Sequence, residues 1–224
     1  MTLIVRPGYL AEGDPSFSNV SLLLHGNGTN GSTTITDSSP TPSVITATGT
    51  AATISTAESK FGGTSIFFPS GTGNYLDVPN AAKFSLGTTW TVEWFGKTQG
   101  AYVAVWANSL FNTTGGIGIY YEDSSMRVRL GTTTFSFSTA IPADWHHFAV
   151  TCINEELRCF LDGSLLGTSS TSLSVSSGAN YIRRLPGFNY GNAAYLDDLR
   201  ITSGVARYTA NFTPPDAPFP DAQY

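Results

Sequence analysis

The 224-residue chain is 41% hydrophobic, only 12% charged, and carries a net charge of −5. This is enough for one full β-sandwich core, and all-β domains often run to this length as a single unit. Three lysines (Lys60, Lys83, Lys97) supply no phosphate-tracking patch, which excludes nucleic acid as a partner, and no run of about 18 apolar residues predicts membrane insertion.

Residues 1–19 read as an N-terminal arm, with Pro7-Gly8 and Asp14-Pro15 as breaks. Its apolar start is too short for a signal-peptide core, so the chain is expected to enter the cytosol of its producing cell. A first strand follows at Asn19–His25, then a Gly/Asn/Ser/Thr-rich loop at 26–34. Further strand candidates recur at 44–48, 50–56, 64–69, 74–78, 89–97, 102–107, 116–121, 126–131, 133–138, 145–153, 157–161, 164–168, 181–185 and 194–202. Many short strands with turn signals between them predict an antiparallel sandwich. In the clearest strand, Trp90, Val92 and Trp94 take one face while Glu93, Phe95 and Lys97 take the other; Met126, Val128 and Leu130 likewise alternate with Arg127 and Arg129. From Phe212 the tail carries Pro214, Pro215, Pro218 and Pro220. It is expected to be extended and outside any ladder.

Trp145–Gly163 reads as a hairpin. Phe148, Val150 and Cys152 alternate along its first strand and Leu157, Cys159 and Leu161 along its second. Asp162-Gly163 then forms a type I′ turn, whose two central residues need positive φ. With Glu155-Glu156 at the first turn, Cys152 falls opposite Cys159. Either a cross-strand disulfide or two buried thiols fits that geometry.

Five segments occur in an order that resembles laminin-G-like, concanavalin A-like jelly rolls. They are Lys60–Ser65 leading into Ile66-Phe67-Phe68, Tyr75–Pro79, Trp90–Lys97, Trp145–Gly163 and Tyr195–Ile201. The resemblance implies an all-β, two-sheet antiparallel jelly-roll sandwich over residues 20–208, with a Pro-rich C-terminal arm at 209–224. The opening Leu22–Gly26 with Asp37-Ser38-Ser39, and the ending Gly204–Thr209 to Phe212–Pro215, resemble a subgroup found in bacteriophage virion proteins. That resemblance implies a non-enzymatic virion structural protein, made in the host cytoplasm and docked through its arms to other virion proteins and to copies of itself. The alternative is a carbohydrate-binding adhesin module for a surface glycan. A glycoside hydrolase is the third reading.

Hydrolysis needs two carboxylates about 5–10 Å apart, and the Glu-x-Asp-x-x-Glu strand of jelly-roll glucanases is not found. Glu93 is alone on its strand, and alternation sends Asp197 and Asp198 to opposite faces. Adjacent His146 and His147 project oppositely and cannot share a metal. No catalytic residue is therefore expected. A sugar site would set aromatic faces beside hydrogen-bonding groups, and the candidates are Phe95, Tyr102, Trp106 and Tyr120 with Arg127 and Arg129. The same aromatics equally suit a core or a subunit interface. Gly116 and Gly118 would leave room for a ligand or another backbone. The resemblance further implies one structural calcium ion, held by Asp197 with the Asn27 loop and Gly62 or Gly63. An Asp197 that instead hydrogen-bonds nearby backbone is the other possibility.

Overall fold

The computed structural model describes residues 13–49, 52–140, 143–189 and 191–223. The first twelve residues of the expected arm, and the start of the strand expected at 50–56, lie outside them. The described strands are β1 (Val20–Leu24), β2 (Thr46–Thr48), β3 (Thr53–Ser55), β4 (Ser65–Phe68), β5 (Tyr75–Val78), β6 (Trp90–Thr98), β7 (Tyr102–Asn108), β8 (Ile117–Glu122), β9 (Ser125–Leu130), β10 (Thr133–Ser138), β11 (His146–Ile153), β12 (Glu156–Leu161), β13 (Ser164–Ser170), β14 (Asn180–Ile182) and β15 (Ala194–Ser203). They form two antiparallel sheets. Sheet A runs β13-β12-β11-β6-β15-β4-β3, with β1 also paired to β15; sheet B runs β10-β9-β8-β7-β14-β5-β2. This is the jelly-roll sandwich that the strand pattern predicts.

Period-two alternation builds the core between the sheets. Trp90, Val92 and Trp94 of β6 meet Phe148, Val150 and Cys152 of β11, while Met126, Val128 and Leu130 of β9 close from sheet B. Fully burying one such large side chain contributes about 1.5–3 kcal/mol.

Three local features depart from simple alternation. The turn between β11 and β12 centres on Asn154 and Glu155, both at positive φ, one residue earlier than expected. Cys152 therefore lies opposite Leu157 and Cys159 opposite Val150; the two thiols are free and buried. A bulge between Ala104 and Trp106 shifts the register of β7, turning Trp106 into the core. A second bulge lies between Asp197 and Arg200 of β15, with Asp198 at φ 47°. Asp198 thereby reaches the strap described next instead of facing away from Asp197.

The C-terminal tail is extended, but it is not a free arm. The Thr151 hydroxyl donates to Tyr208 O, the Phe212 amide to Gly163 O, and the Phe219 amide to Asp198 Oδ2. Tyr208 and Phe212 stack with centroids 3.6 Å apart, and Phe219 is buried against Phe95, Leu23 and Val20. Four prolines deny this segment ladder donors, so aromatic packing and isolated hydrogen bonds lay it as a strap over the outer face of sheet A. The segment expected to dock on other proteins instead packs on its own domain.

Candidate functional site

The two outer faces differ in kind. On sheet A, Glu93 is fully buried beneath the strap. Arg200 Nε donates to its Oε1 at 2.9 Å and the Tyr208 hydroxyl to its Oε2 at 2.7 Å. His147 Nε2 stands 3.4 Å from Oε2, near enough for attraction but without a hydrogen bond. Arg200 and Arg207 also pair with Asp14. Burial alone would raise the Glu93 pKa; Arg200, His147 and Arg207 outweigh that and hold it at about 2. Phe95 lies here, 2% exposed, between Phe61, His147 and Phe219. It is a strap anchor out of reach of a sugar.

On sheet B, alternation turns Gly118, Tyr120 and Glu122 of β8 outward. Tyr120 pairs across strands with Arg127 and Gly118 with Arg129; Thr134 and Ser136 of β10 pair with Arg129 and Arg127. Residues directly opposite share a face, so two guanidiniums and hydroxyls gather here around Tyr120, whose ring is itself buried against Phe111 and Leu185. Arg127 is ion-paired to Glu122. Arg129 donates to Thr134 Oγ1 at 2.9 Å and to Asn112 Oδ1, and lies over the Phe111 ring, 5.8 Å from its centroid. Tyr102, at the end of β7, is 41% exposed and donates its hydroxyl proton to Asp123 at 2.7 Å.

The 183–189 loop folds onto this face. A Cβ on Gly118 would come within 2.5 Å of the Phe111 ring and 2.8 Å of Leu185. The space left by Gly118 is thus filled by the protein's own side chains, and that beside Gly116 by the Leu110 carbonyl. Phe111 meets Phe188 edge-to-face at 5.6 Å, and Phe188 is 43% exposed. Strand β14 ends sooner than its sequence suggests because Arg183 takes φ 73°, which sends the chain across the sheet. Arg184 then lies 4.7 Å from the centroids of both Tyr75 and Tyr181.

Of the six sugar-site candidates, Tyr102, Arg127 and Arg129 come together here; Tyr120 lies on the same face but is 5% exposed, buried with Phe111 and Leu185. Trp106 does not: it is wholly buried, donating to Asn180 Oδ1 at 3.0 Å. Sequence reasoning missed Phe111, Phe188, Tyr75, Tyr181 and Arg184. The Arg183-Arg184 pair beside a turn-forming Pro186-Gly187 was the available signal.

The calcium candidates also gather, at the rim of sheet A. Asp197 Oδ2 accepts the Lys60 and Phe61 amides at 2.9 and 3.0 Å, while its buried Oδ1 has no hydrogen-bond partner. Gly62 adjoins Asn27, whose Oδ1 would lie 2.9 Å from a Cβ there, and Gly63 has open space beside it. An unpartnered carboxylate oxygen, with the Asn27 amide oxygen at the same 60–63 loop, is the donor chemistry a hard cation takes. No group of three or more His, Cys, Asp or Glu stands together among the described residues, so remaining ligands would have to be carbonyls or water. Burial raises the Asp197 pKa to about 7, against the two amides that lower it.

The model of the concanavalin A-like lectin/glucanases superfamily matches residues 70–207. The chain belongs to this family. Within the concanavalin A-like superfamily the match does not single out the bacteriophage subgroup. No curated protein matches the sequence. Among solved structures, the binding domain of Paraclostridial Mosquitocidal Protein 1 superposes with TM-score 0.68 at 14% identity, covering 85% of this chain and 50% of that one. A structure of botulinum neurotoxin type C, described as dependent for cell entry upon interaction with two ganglioside molecules, gives 0.63 at 12%, covering 84% and 48%. Domain 4 of AbnA, a GH43 extracellular arabinanase from Geobacillus stearothermophilus, in complex with arabinotriose, gives 0.62 at 14%, covering 83% and 93%. The chain spans about half the length of the toxin structures it matches. At these identities the likeness shows the fold. No helix among the described residues is long and apolar enough to cross a membrane.

Proposed function

We propose that this protein is a glycan-binding module whose ligand lies across the outer face of sheet B. One asymmetry carries the reading: the strap covers the centre of the outer face of sheet A around Glu93 and Phe95, whereas sheet B presents the exposed rings of Tyr102 and Phe188 beside guanidiniums and hydroxyls. Apolar ring faces and fixed donors are what a pyranose requires. The arabinotriose complex of one structural neighbour and the ganglioside dependence of another support the same class of ligand. Binding is favoured over hydrolysis because Glu93 is locked between Arg200 and Tyr208, away from any substrate. The virion reading, drawn from a resemblance at the two ends of the chain, implies docking through both arms, and the C-terminal one is occupied within its own domain. A structural calcium ion at Asp197 belongs to the same proposal, as a support for the rim.

Screening the intact chain on a glycan array tests the reading, followed by Tyr102→Ala and Arg129→Ala on any ligand found. Each substitution is expected to weaken binding about tenfold, or ~1.4 kcal/mol, without changing the unfolding midpoint. A silent array, or binding indifferent to both substitutions, would overturn it.

A further inference from the structure

We propose that the sheet B face reads a sugar bearing a carboxylate, and that Arg184 is the residue that binds it. This rests on the glycan-binding reading above. The protein is acidic overall, with 16 acidic and 11 basic side chains, and Arg158, Arg200 and Arg207 are each paired with a carboxylate. Arg184 and Arg129 differ. Among the described residues neither has a carboxylate within 4.0 Å, and both rest on aromatic rings.

The Arg184 site is built around the guanidinium. Tyr75 and Tyr181, perpendicular with centroids 5.8 Å apart, each hold it at 4.7 Å. The rings fix its position, and no oxygen acceptor or carboxylate among the described residues takes its N–H groups. A guanidinium held this way, with its planar fork unspent, matches a carboxylate's two oxygens. Leaving it half-buried without a counter-ion costs stability that a bound anion would recover.

The surroundings suit the rest of a sugar. Leu76 and Val78 of β5 point into the core, so Asp77 shares the outer face with Tyr75, and Thr46 lies directly across from Asp77. Asp77 would repel a second acidic group and accept hydroxyl protons instead. That favours a ligand with one carboxylate at Arg184 and hydroxyls beyond it. Arg129 lies on β9, three strand spacings from β14, or about 14 Å. A chain of a few sugars, not a lone ring, would bridge the two.

The experiment is calorimetric titration of the intact chain with matched pairs: trigalacturonate against its methyl ester, and sialyllactose against lactose. The acidic member of at least one pair is expected to bind about tenfold tighter or more. Arg184→Gln should erase that preference, and Arg184→Lys, which keeps charge but not the planar fork, should restore only part of it. An unfolding midpoint no lower than that of the wild type shows the variants intact. Equal binding of neutral and acidic members would overturn the inference while leaving glycan binding in place. So would an acidic preference that survives Arg184→Gln. If no member of either pair binds while the array finds a neutral ligand, the inference also falls. If the array too is silent, both readings fall.

Discussion

The Tyr208 hydroxyl donates a 2.7 Å hydrogen bond to Glu93, tying the start of the strap to a carboxylate that is wholly buried. Arg200 completes the ion pair from β15. Removing one partner of such a pair strands the other charge away from water. Glu93→Gln is therefore expected to cost about 3–5 kcal/mol, and Tyr208→Phe about 1–3 kcal/mol. Urea unfolding measures both. A Glu93→Gln protein as stable as wild type would mean the network adds nothing.

The strap itself is expected to belong to the folding unit. Phe219→Ala empties a site that is 2% exposed and should cost about 3–5 kcal/mol. Gly163 bears on the same point. It sits at φ 74° and a Cβ there would meet the Phe212 carbonyl at 1.9 Å, so Gly163→Ala both strains the turn and lifts the strap. Thermal denaturation should show lowered midpoints for both variants, and unchanged midpoints would return the tail to the status of a loose arm.

The tail also shows where the sequence could and could not be read. Alternation in β6, β9 and β11 placed their core residues correctly, because a two-residue period depends only on which face is buried. The prolines of the tail, read alone, signal extension without saying where it lies. Tyr208, Phe212 and Phe219 were the missed sign, since rings among prolines need a surface to cover. The bulges at Ala104–Trp106 and Asp197–Arg200 were invisible for a different reason: one inserted residue flips a face without changing composition. They removed Trp106 from the sugar face and brought Asp198 to the strap. Arg184 was missed because a positive φ at Arg183, which no Gly or Asn announces, ends its strand.

Asp197, His25 and Glu93 each shape the pH profile. Asp197, near 7 when folded, releases its proton at about 3.9 when unfolded. Between about pH 4 and 7 the native state holds the extra proton, so stability falls as pH rises across that window. His25 acts in the same direction: burial opposes its charge, but Asp198 outweighs this and raises its pKa. Its contribution is full below about 6.5 and is lost as pH rises through the folded value. Glu93 has the opposite sign, stabilising above its unfolded value and losing that as pH falls toward 2. In the presence of a chelator, urea midpoints should decline from pH 4 to 7 for wild type and less for Asp197→Asn. Equal slopes would show that Asp197 does not hold the proton. Millimolar calcium at pH 7 should raise the wild-type midpoint and leave Asp197→Asn unmoved; equal response in both would remove the ion from Asp197.

The thiols should be inert in the folded protein. Burial pushes Cys152 up to about 11 and Cys159 higher still, and thiolate is the reactive form. Neither is expected to react with an aromatic disulfide reagent before unfolding, and both should react afterwards. Rapid native reaction would contradict the packing, and absence of two reactive thiols after unfolding would indicate a bond.

The most direct measurement of the central claim is hydrogen–deuterium exchange of the intact chain with and without its glycan. Slowed exchange on binding is expected in β8, β9 and β10 and in the 183–189 loop, with the strap from Tyr208 to Phe219 unchanged. Protection confined to the strap and sheet A, with sheet B unaltered, would contradict it.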